Sequence, residues 1–195
     1  MQHICKLQEI GTIVLDSEGY NIKYVQKSSP GKSDDFIFAH IFKFHTCDGM
    51  KYIIRAEMHK YDTFAIKYYA SIHKKLDNKY NMLTNKHKPI KIFITCASVL
   101  PKLLEMNPTA SFAFNASRTI DFANDKIEGY NTNQRFRIYR HIADALIGRG
   151  TFEHYEFPEM SSYLLVNRNF CDDTDTKKEE IKNMFLDLYN FDSQI

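Results

Sequence analysis

Two runs of β-forming residues around Asp48-Gly49 constrain the fold of this chain more than any other feature. Residues 36–46 and 51–59 flank this dipeptide, which is the strongest short-range signal for a β-hairpin. Alternate side chains of a strand point to opposite faces, and here both faces are apolar. One face carries Phe36, Phe38, Phe42 and Phe44, and the other carries Ile37, Ile41, Tyr52 and Ile54. We therefore expect the hairpin to lie inside a sheet that is covered on both sides.

The remaining hydrophobic patterns mix strands and helices along the chain. Strands are predicted over residues 11–15, 21–27, 90–96, 110–116 and 161–167. Helices are predicted over residues 61–79, 98–106 and 133–147, the last capped by Asn131 or Thr132, and a terminal helix begins at Asp172 or Thr174. This order predicts an α+β fold with three layers, in which a mixed, mostly antiparallel sheet of about six or seven strands carries helices on both faces.

Composition excludes disordered and membrane-spanning classes. The 195 residues are 44% hydrophobic and include 15 Phe and 12 Tyr, which is ample apolar surface for a core. No apolar run reaches the roughly 18 residues of a transmembrane helix, and the N-terminal residues lack the apolar segment of a secretory signal. The four cysteines form no CxxC pair, which indicates reduced thiols. We expect a cytoplasmic protein that does not bind membranes, with one domain over residues 1–170 and a C-terminal amphipathic helix in residues 171–195 packed on it.

The charge is unevenly distributed although the net charge is only +2. Residues 61–91 carry seven lysines against two aspartates, whereas residues 171–195 carry seven acidic against three basic side chains. The basic set is a candidate nucleic-acid surface and consists of Lys67, Lys74, Lys75, Lys79, Lys86, Lys88 and Lys91. The alternative is a solvated helix face that the acidic C-terminal helix complements.

Arginine is concentrated in the second half of the chain, where six of the seven arginines lie between positions 118 and 168. A guanidinium presents a planar fork of donors that suits carboxylate or phosphate. The candidates for an anion or cofactor site are Arg118, Arg135 and Arg137, two of which begin a predicted helix whose N-terminal amides would also attract an anion. The alternative is ion pairing with the neighbouring Asp121, Asp125 and Glu128.

The order of the predicted elements resembles the GCN5-related N-acetyltransferase fold. In that family an antiparallel meander leads to a strand, a helix whose N-terminus holds the pyrophosphate of acetyl-CoA, a strand, a helix and two final strands. The run that resembles it here consists of residues 51–59, 61–79, 90–96, 98–106, 110–116 and 161–167. The resemblance covers residues 11–168 and implies acetyl-CoA as cofactor and a cleft between two central parallel strands.

This sequence lacks the acyl-CoA signature of that family. The family has (Gln/Arg)-x-x-Gly-x-(Gly/Ala) between the central strand and the following helix, and the matching residues 59–64 contain no glycine. Glycine lets backbone amides approach a phosphate closely. The resemblance therefore implies a degenerate or atypical acyl-CoA-dependent acyltransferase.

Three side chains are candidates for catalysis. His141 lies four residues after Arg137 and is a candidate general base; the alternative is a solvated histidine. Tyr163 is, by the resemblance, the analogue of a residue that protonates the leaving thiolate; the alternative places its ring in the core. Cys96 precedes a predicted helix and would be a nucleophile there, or simply a small buried residue.

Several metal-ligating residue types occur on the hairpin, but the pattern does not predict a metal site. A two-residue turn places His40 opposite Glu57, whereas His45 and Cys47 lie on the other face. Metal binding requires ligands that converge on one point. The alternative use of His40 is a hydrogen bond to Glu57.

Two other classes of function compete with the acyltransferase. The basic residues 67–91 would serve a nucleic-acid-binding regulatory module, and the helix over residues 174–190 would dock on a protein partner in an interaction module. An anionic ligand, acyl-CoA or phosphate, suits the arginine candidates.

Overall fold

The computed structural model describes residues 18–32, 34–82, 89–121 and 125–189. The strands are β1 Lys23–Ser28, β2 Phe38–His45, β3 Lys51–His59, β4 Thr63–Ala70, β5 Ser111–Asn115, β6 Ile120–Asp121, β7 Lys126–Ile127, β8 Phe152–Phe157 and β9 Ser162–Asn167. The α-helices are α1 Pro89–Ala97, α2 Leu100–Met106, α3 Gln134–Leu146 and α4 Thr174–Tyr189. None of these helices is long and apolar enough to cross a membrane.

Seven of the strands form one sheet in the order β1-β2-β3-β4-β5-β9-β8, and β6 and β7 form a separate hairpin. Every neighbouring pair in the large sheet is antiparallel except β4 and β5, which are parallel. A parallel pair requires a crossover connection, and α1 and α2 lie in it. The predicted α+β class with a mixed, mostly antiparallel sheet is confirmed.

The two faces of the sheet have separate cores. Tyr163 and Leu165 of β9 belong to a large core that includes residues of α1 and α3, whereas Leu164 and Val166 pack with Ile181 of α4. We call these surfaces the α3 face and the α4 face. The alternation along β9 places helices on both sides of the sheet, as predicted. The α3 face is rich in aromatic contacts, among them Phe64–Phe112, Phe112–Phe152 and Phe93–Tyr139.

The predicted hairpin is confirmed, but its register is shifted by one residue. His45 pairs with Lys51, so the loop has five residues and not two, and His40 pairs with Ala56 rather than Glu57. The hydroxyl of Thr46 accepts a hydrogen bond from the Met50 amide at 3.0 Å and stabilises the longer loop. Gly49 keeps the positive φ of +81° that the turn requires.

The shifted register also changes which side chains share a face. Tyr52 and Ile54 now lie in the same core as Phe42 and Phe44, on the α3 face. Ile37, just before β2, is 57% exposed. The expectation that the hairpin is covered on both sides is therefore wrong at the start of β2.

The predicted helix over residues 61–79 is wrong, because this segment forms strand β4 and the turns that follow it. Tyr61 and Asp62 have positive φ values of 58° and 50° and reverse the chain tightly between β3 and β4. Phe64, Ile66 and Tyr68 are two residues apart along β4, and all three lie on the α3 face. The opposite face of β4 is also partly buried, which obscured the two-residue period in the sequence.

The predicted strand over residues 90–96 is also wrong, because it forms helix α1. Ile92, Phe93 and Cys96 are buried, as are Thr95 and Ala97, so most of the helix circumference lacks a polar face. An apolar run of this kind has no visible helical period. A parallel pair of strands joined by a crossover was predicted for residues 90–96 and 110–116. The structure has such a pair, but it consists of β4 and β5.

The other predicted elements are mostly confirmed. Residues 21–27, 98–106, 110–116, 133–147 and 161–167 correspond to β1, α2, β5, α3 and β9, and the terminal helix begins at Thr174. Strand β8 was not predicted, and the predicted strand over residues 11–15 lies outside the described residues. The cap of α3 is Asn133, whose Oδ1 accepts from the Phe136 amide at 2.9 Å and whose Nδ2 donates to the Ala116 carbonyl.

Candidate functional site

A cavity opens where the two parallel strands separate. β4 and β5 pair from Thr63 and Ser111 only as far as Ala65 and Ala113, although β4 continues to Ala70. The gap beyond holds a cavity of about 1280 Å³. Since Lys67 and Tyr68 both line it and successive residues of a strand point to opposite faces, the cavity passes between the strands from one face of the sheet to the other.

The walls of the cavity come from all layers of the fold. Helix α3 contributes Arg135 and Tyr139, β9 contributes residues 162–164, and α4 contributes its C-terminal half from Ile181 to Tyr189. The segments around Tyr80, Arg118 and Tyr130 close the remaining sides. No single element forms the site, which is why no contiguous motif marks it in the sequence.

Two tyrosine hydroxyls meet on the α3 face of the cavity. The hydroxyls of Tyr139, on α3, and Tyr68, on β4, lie 3.4 Å apart. Burial raises the pKa of both phenols above the ordinary tyrosine value. Both groups therefore remain protonated at neutral pH, and since the Tyr139 hydroxyl donates to that of Tyr68, the pair keeps one O–H donor for a ligand in the cavity.

A charged cluster occupies the α4 face. Glu57 on β3 is buried and accepts from Arg55 Nε at 2.8 Å and from Lys67 Nζ at 2.6 Å. Lys67 also donates to the Tyr189 hydroxyl at 2.9 Å, which ties the end of α4 to β4. Although burial alone would lower the pKa of Lys67, the Glu57 carboxylate raises it above its ordinary value. The cluster holds one positive side chain firmly at the cavity wall.

A buried histidine lies beside this cluster. The His59 ring meets the Phe185 ring of α4 edge to face, with centroids 5.2 Å apart. Burial and the nearby Lys67 ammonium lower the pKa of His59 to about 4, so its imidazole is neutral at pH 7. A neutral ring is what an apolar contact with α4 requires.

The three arginines proposed as an anion site are placed differently. Arg118 lines the cavity with its guanidinium 4.4 Å from the centroid of the Tyr130 ring. Arg135 also lines the cavity, but it donates to the backbone carbonyls of Tyr80 and Met82. Arg137 is exposed and lies outside the cavity lining. The structure thus brings two of the three to the site.

The alternative of local ion pairs finds no support among the described side chains. None of the three arginines forms a salt bridge there. The Glu128 carboxylate instead accepts from the Thr119 amide at 3.2 Å and from the Gln134 amide at 2.5 Å, at the first turn of α3. The side chain of Asp121 lies outside the described part of the structure.

Two of the three catalytic candidates, His141 and Tyr163, differ in whether they line the cavity. His141 is exposed on α3 and does not line the cavity. Tyr163 lines it but is buried, and its hydroxyl lies 2.8 Å from Nδ1 of His154. Burial raises the pKa of Tyr163. Their catalytic roles stay predictions.

The lysines of the candidate nucleic-acid surface do not share a helix face, because the predicted helix is absent. Lys67 lies in β4 on the α4 face, and Lys74, Lys75 and Lys79 follow the short 3-10 helix Ser71–His73. Lys91 lies in α1, 4.8 Å from the centroid of the Tyr20 ring. Lys86 and Lys88 lie outside the described residues. Any basic surface would therefore be built from turns and not from one solvated helix.

The remaining candidates have structural surroundings. Cys96 is buried within α1, and burial raises the pKa of its thiol, which suits a small apolar residue rather than a nucleophile. His40 Nδ1 lies 3.2 Å from the Tyr24 hydroxyl and does not bond Glu57. Among the described residues no group of three or more His, Cys, Asp or Glu side chains is arranged to hold a metal ion.

Sequence reasoning missed the tyrosine pair and the Glu57 cluster. Both depend on β4, and the helix predicted over residues 61–79 concealed the alternation that sends Lys67 and Tyr68 to opposite faces. The run of β-branched and aromatic residues from Thr63 to Ala70 was the available signal.

Comparison with protein-family models, curated proteins and solved structures finds no match to this chain.

Proposed function

We propose that this chain is an atypical acyl-CoA-dependent acyltransferase with a fold like that of the GCN5-related N-acetyltransferases. The observation that carries the proposal is the separation of β4 and β5 after Ala65 and Ala113, which opens the cavity at the place where the resemblance implies the cleft. The order of elements supports it too. Antiparallel strands lead to β4, helices cross to β5, and α3 and two final strands follow.

The gap between the strands suits the extended arm of an acyl-CoA. β4 pairs with β3 along its whole length, but its pairing with β5 ends at Ala65. Beyond that point β4 pairs with β3 on one edge only, so the backbone groups of its other edge are directed at the gap, where an amide-containing arm would pair with them as an added strand does. The apolar residues Ile66 and Phe114 beside the gap suit the aliphatic part of such an arm.

The phosphates of the ligand would be held without the glycine turn. Residues 59–64 form the tight turn between β3 and β4, so they are not the junction between a strand and the crossover helix. That junction begins after Ala70 and contains Lys74, Lys75 and Lys79. Lys74 and Lys75 are exposed, and an ammonium group binds phosphate as a point charge without a close backbone approach.

The tyrosine pair supplies the proton chemistry that acyl transfer needs. An acceptor amine attacks the thioester carbonyl, a carbon–nitrogen bond forms, and the carbon–sulfur bond breaks. The departing thiolate then takes a proton. Tyr68 and Tyr139 keep their protons at neutral pH and line the cavity, so they are the donors we assign to this step.

A thermal-shift titration tests the proposal. Acetyl-CoA at about 100 times its Kd is expected to raise Tm by roughly 5–10 °C for a chain of this length. A mixed-sequence oligonucleotide at low salt is the matched polyanion control. The proposal fails if acetyl-CoA gives no shift at millimolar concentration, and a shift with the oligonucleotide alone would favour the nucleic-acid-binding alternative.

Substitution of the tyrosines tests the chemistry separately from binding. Tyr139→Phe and Tyr68→Phe together are expected to lower the release of free thiol from acetyl-CoA about 100-fold while acetyl-CoA binding persists. Tyr163→Phe is the control, because its hydroxyl bonds His154 and is not part of the pair. An equal loss in Tyr163→Phe would return the donor role to Tyr163.

A further inference from the structure

The cavity has an excess of positive charge. Among the described residues four cationic side chains line it, Lys67, Arg118, Arg135 and Lys182, against the one carboxylate of Glu159. Lys67 is neutralised by Glu57 behind it, and Arg135 directs its donors at backbone carbonyls. The other two cations have no carboxylate of the described residues within ion-pair distance. Low-dielectric walls strengthen the field of such charges inside a cleft.

Aromatic rings hold both of these cations in place. The Arg118 guanidinium lies 4.4 Å from the centroid of the Tyr130 ring, and the Lys182 ammonium lies 5.6 Å from that of the Phe157 ring. A cation on a ring face keeps its N–H donors available at its edge, because the ring accepts none of them as a carboxylate would. All four residues line the same cavity. The arrangement presents ordered donors beside apolar surface.

We propose that the acceptor is a free amino acid with an apolar side chain, whose carboxylate is bound by Arg118 with Lys182 adding a second positive charge. The inference rests on the proposed acyl transfer, which requires an amine. The planar fork of Arg118 matches a carboxylate, and the rings of Phe157 and Phe185 in the lining match an apolar side chain.

The transfer balances with the groups named. The neutral α-amino nitrogen attacks the thioester carbonyl, a carbon–nitrogen bond replaces the carbon–sulfur bond, and the amine loses one proton to solvent. The thiolate gains one proton from the tyrosine pair and leaves as a thiol, and the pair recovers that proton from solvent. The product is an N-acyl amino acid that keeps its carboxylate.

Binding of L-phenylalanine and of L-phenylalaninamide, measured by isothermal titration, tests the inference without requiring turnover. The acid is expected to bind at least tenfold more tightly than the amide, because only the acid presents a carboxylate to the two cations. Arg118→Gln is expected to weaken binding of the acid about tenfold and to leave the amide unchanged, with a smaller loss in Lys182→Gln. The matched controls are Arg137→Gln on α3 and Lys178→Gln on α4, since neither residue lines the cavity.

Acetyl-CoA is titrated into the same proteins to distinguish the acceptor from the phosphates of the cofactor. Equal affinity of Arg118→Gln and the parent chain for acetyl-CoA supports the inference. If Arg118→Gln loses affinity for acetyl-CoA but not for phenylalanine, the cations serve the phosphates and the inference is overturned. It is also overturned if the acid and the amide bind alike, or if neither binds at the solubility limit. Failure of acetyl-CoA to bind the parent chain refutes the proposed function. The preference for the acid over the amide, and its dependence on Arg118, are measured without acetyl-CoA and therefore test the amino-acid site separately.

Discussion

The α4 face and the α3 face of the sheet stabilise buried polar groups in different ways. On the α4 face the buried Glu57 forms ion pairs with Arg55 and Lys67, and the buried His59 beside them is neutral. On the α3 face Tyr163 meets His154 through a single hydrogen bond between neutral groups. Burial and the nearby Arg149 lower the pKa of His154, which keeps its ring uncharged. The cavity between β4 and β5 is bounded by both environments.

The difference follows from what covers each face. Within the described part of the chain helix α4 covers the α4 face near the cluster, and the side chains of Lys67 and Arg55 retain 28% and 23% of their exposure. Partial hydration reduces the cost of keeping ions there. Aromatic rings pack the α3 face closely, and an ion among them would lose its hydration with little in return. The buried carboxylate of Glu57 therefore lies on the face where water still reaches its two partners.

The largest expected effect is that of Glu57→Gln. The substitution leaves Lys67 and Arg55 without a counter-ion in a mostly buried position, and we expect a loss of about 3 kcal/mol in the free energy of unfolding. Urea denaturation at pH 7 measures it. Glu153→Gln is the control, because its partner Arg168 is exposed and a surface pair contributes below about 1 kcal/mol. Equal losses in the two variants would remove the contrast between the faces.

The pH dependence of stability is the next largest effect. The folded-state pKa of His59 is near 4, below the ordinary value of 6.5, so between these values the unfolded chain binds more protons than the folded chain. The contribution of the neutral His59 to the free energy of unfolding is therefore present above pH 6.5 and is lost as the pH falls towards 4. From His59 alone we expect a loss of about 2 kcal/mol between pH 7 and pH 5.

Substitution of this histidine checks the assignment. Urea denaturation of His59→Asn across the same pH range should give a much flatter profile than that of the parent chain. His141→Asn changes an exposed histidine and should leave the slope as it is. A slope that survives in His59→Asn would mean that groups other than His59 dominate the acid response.

Tyr163→Phe is expected to cost less, because it removes one neutral hydrogen bond. The change leaves His154 Nδ1 buried without its phenol partner, at about 1 kcal/mol. Thermal denaturation at pH 7 measures the difference. A loss as large as that of Glu57→Gln would show that the α3 face depends on its polar pair as strongly as the α4 face depends on its ions.

The smallest effect is expected for Tyr189→Phe. The tyrosine hydroxyl accepts from Lys67 at 2.9 Å near the exposed end of α4, where water replaces it readily. We expect a loss of about 0.5 kcal/mol. Hydrogen exchange of the last turn of α4 should rise while the rest of the helix keeps its protection. Faster exchange along the whole helix would mean that this contact anchors α4 on the sheet.

Much of the fold, but little of the site, could be predicted from the sequence. Amphipathic segments with one buried stripe, such as α3 and α4, were placed correctly because their period is visible. β4 was predicted as a helix and α1 as a strand. Both segments are buried on two or more sides, and burial removes the polar residues that reveal a period. The cavity depends on β4, so Tyr68 and its partner Tyr139 could not be brought together. The one-residue error in the hairpin register arose from the Thr46 loop, whose side-chain bonds no dipeptide signal reveals.

The position of β9 between β5 and β8 has a consequence for biosynthesis. β8 is made first but forms the outer edge, and Phe112 of β5 receives its partner Leu165 only when β9 has been synthesised. β8 and β9 are close in sequence and form a local hairpin, so we expect them to pair first and then to dock on β5 as a unit. A nascent chain that stalls before Ser162 carries β5 as an open edge of phenylalanine-rich strand. Such an edge is a template for pairing with another stalled chain, so premature termination in this region should yield aggregates rather than a soluble fragment.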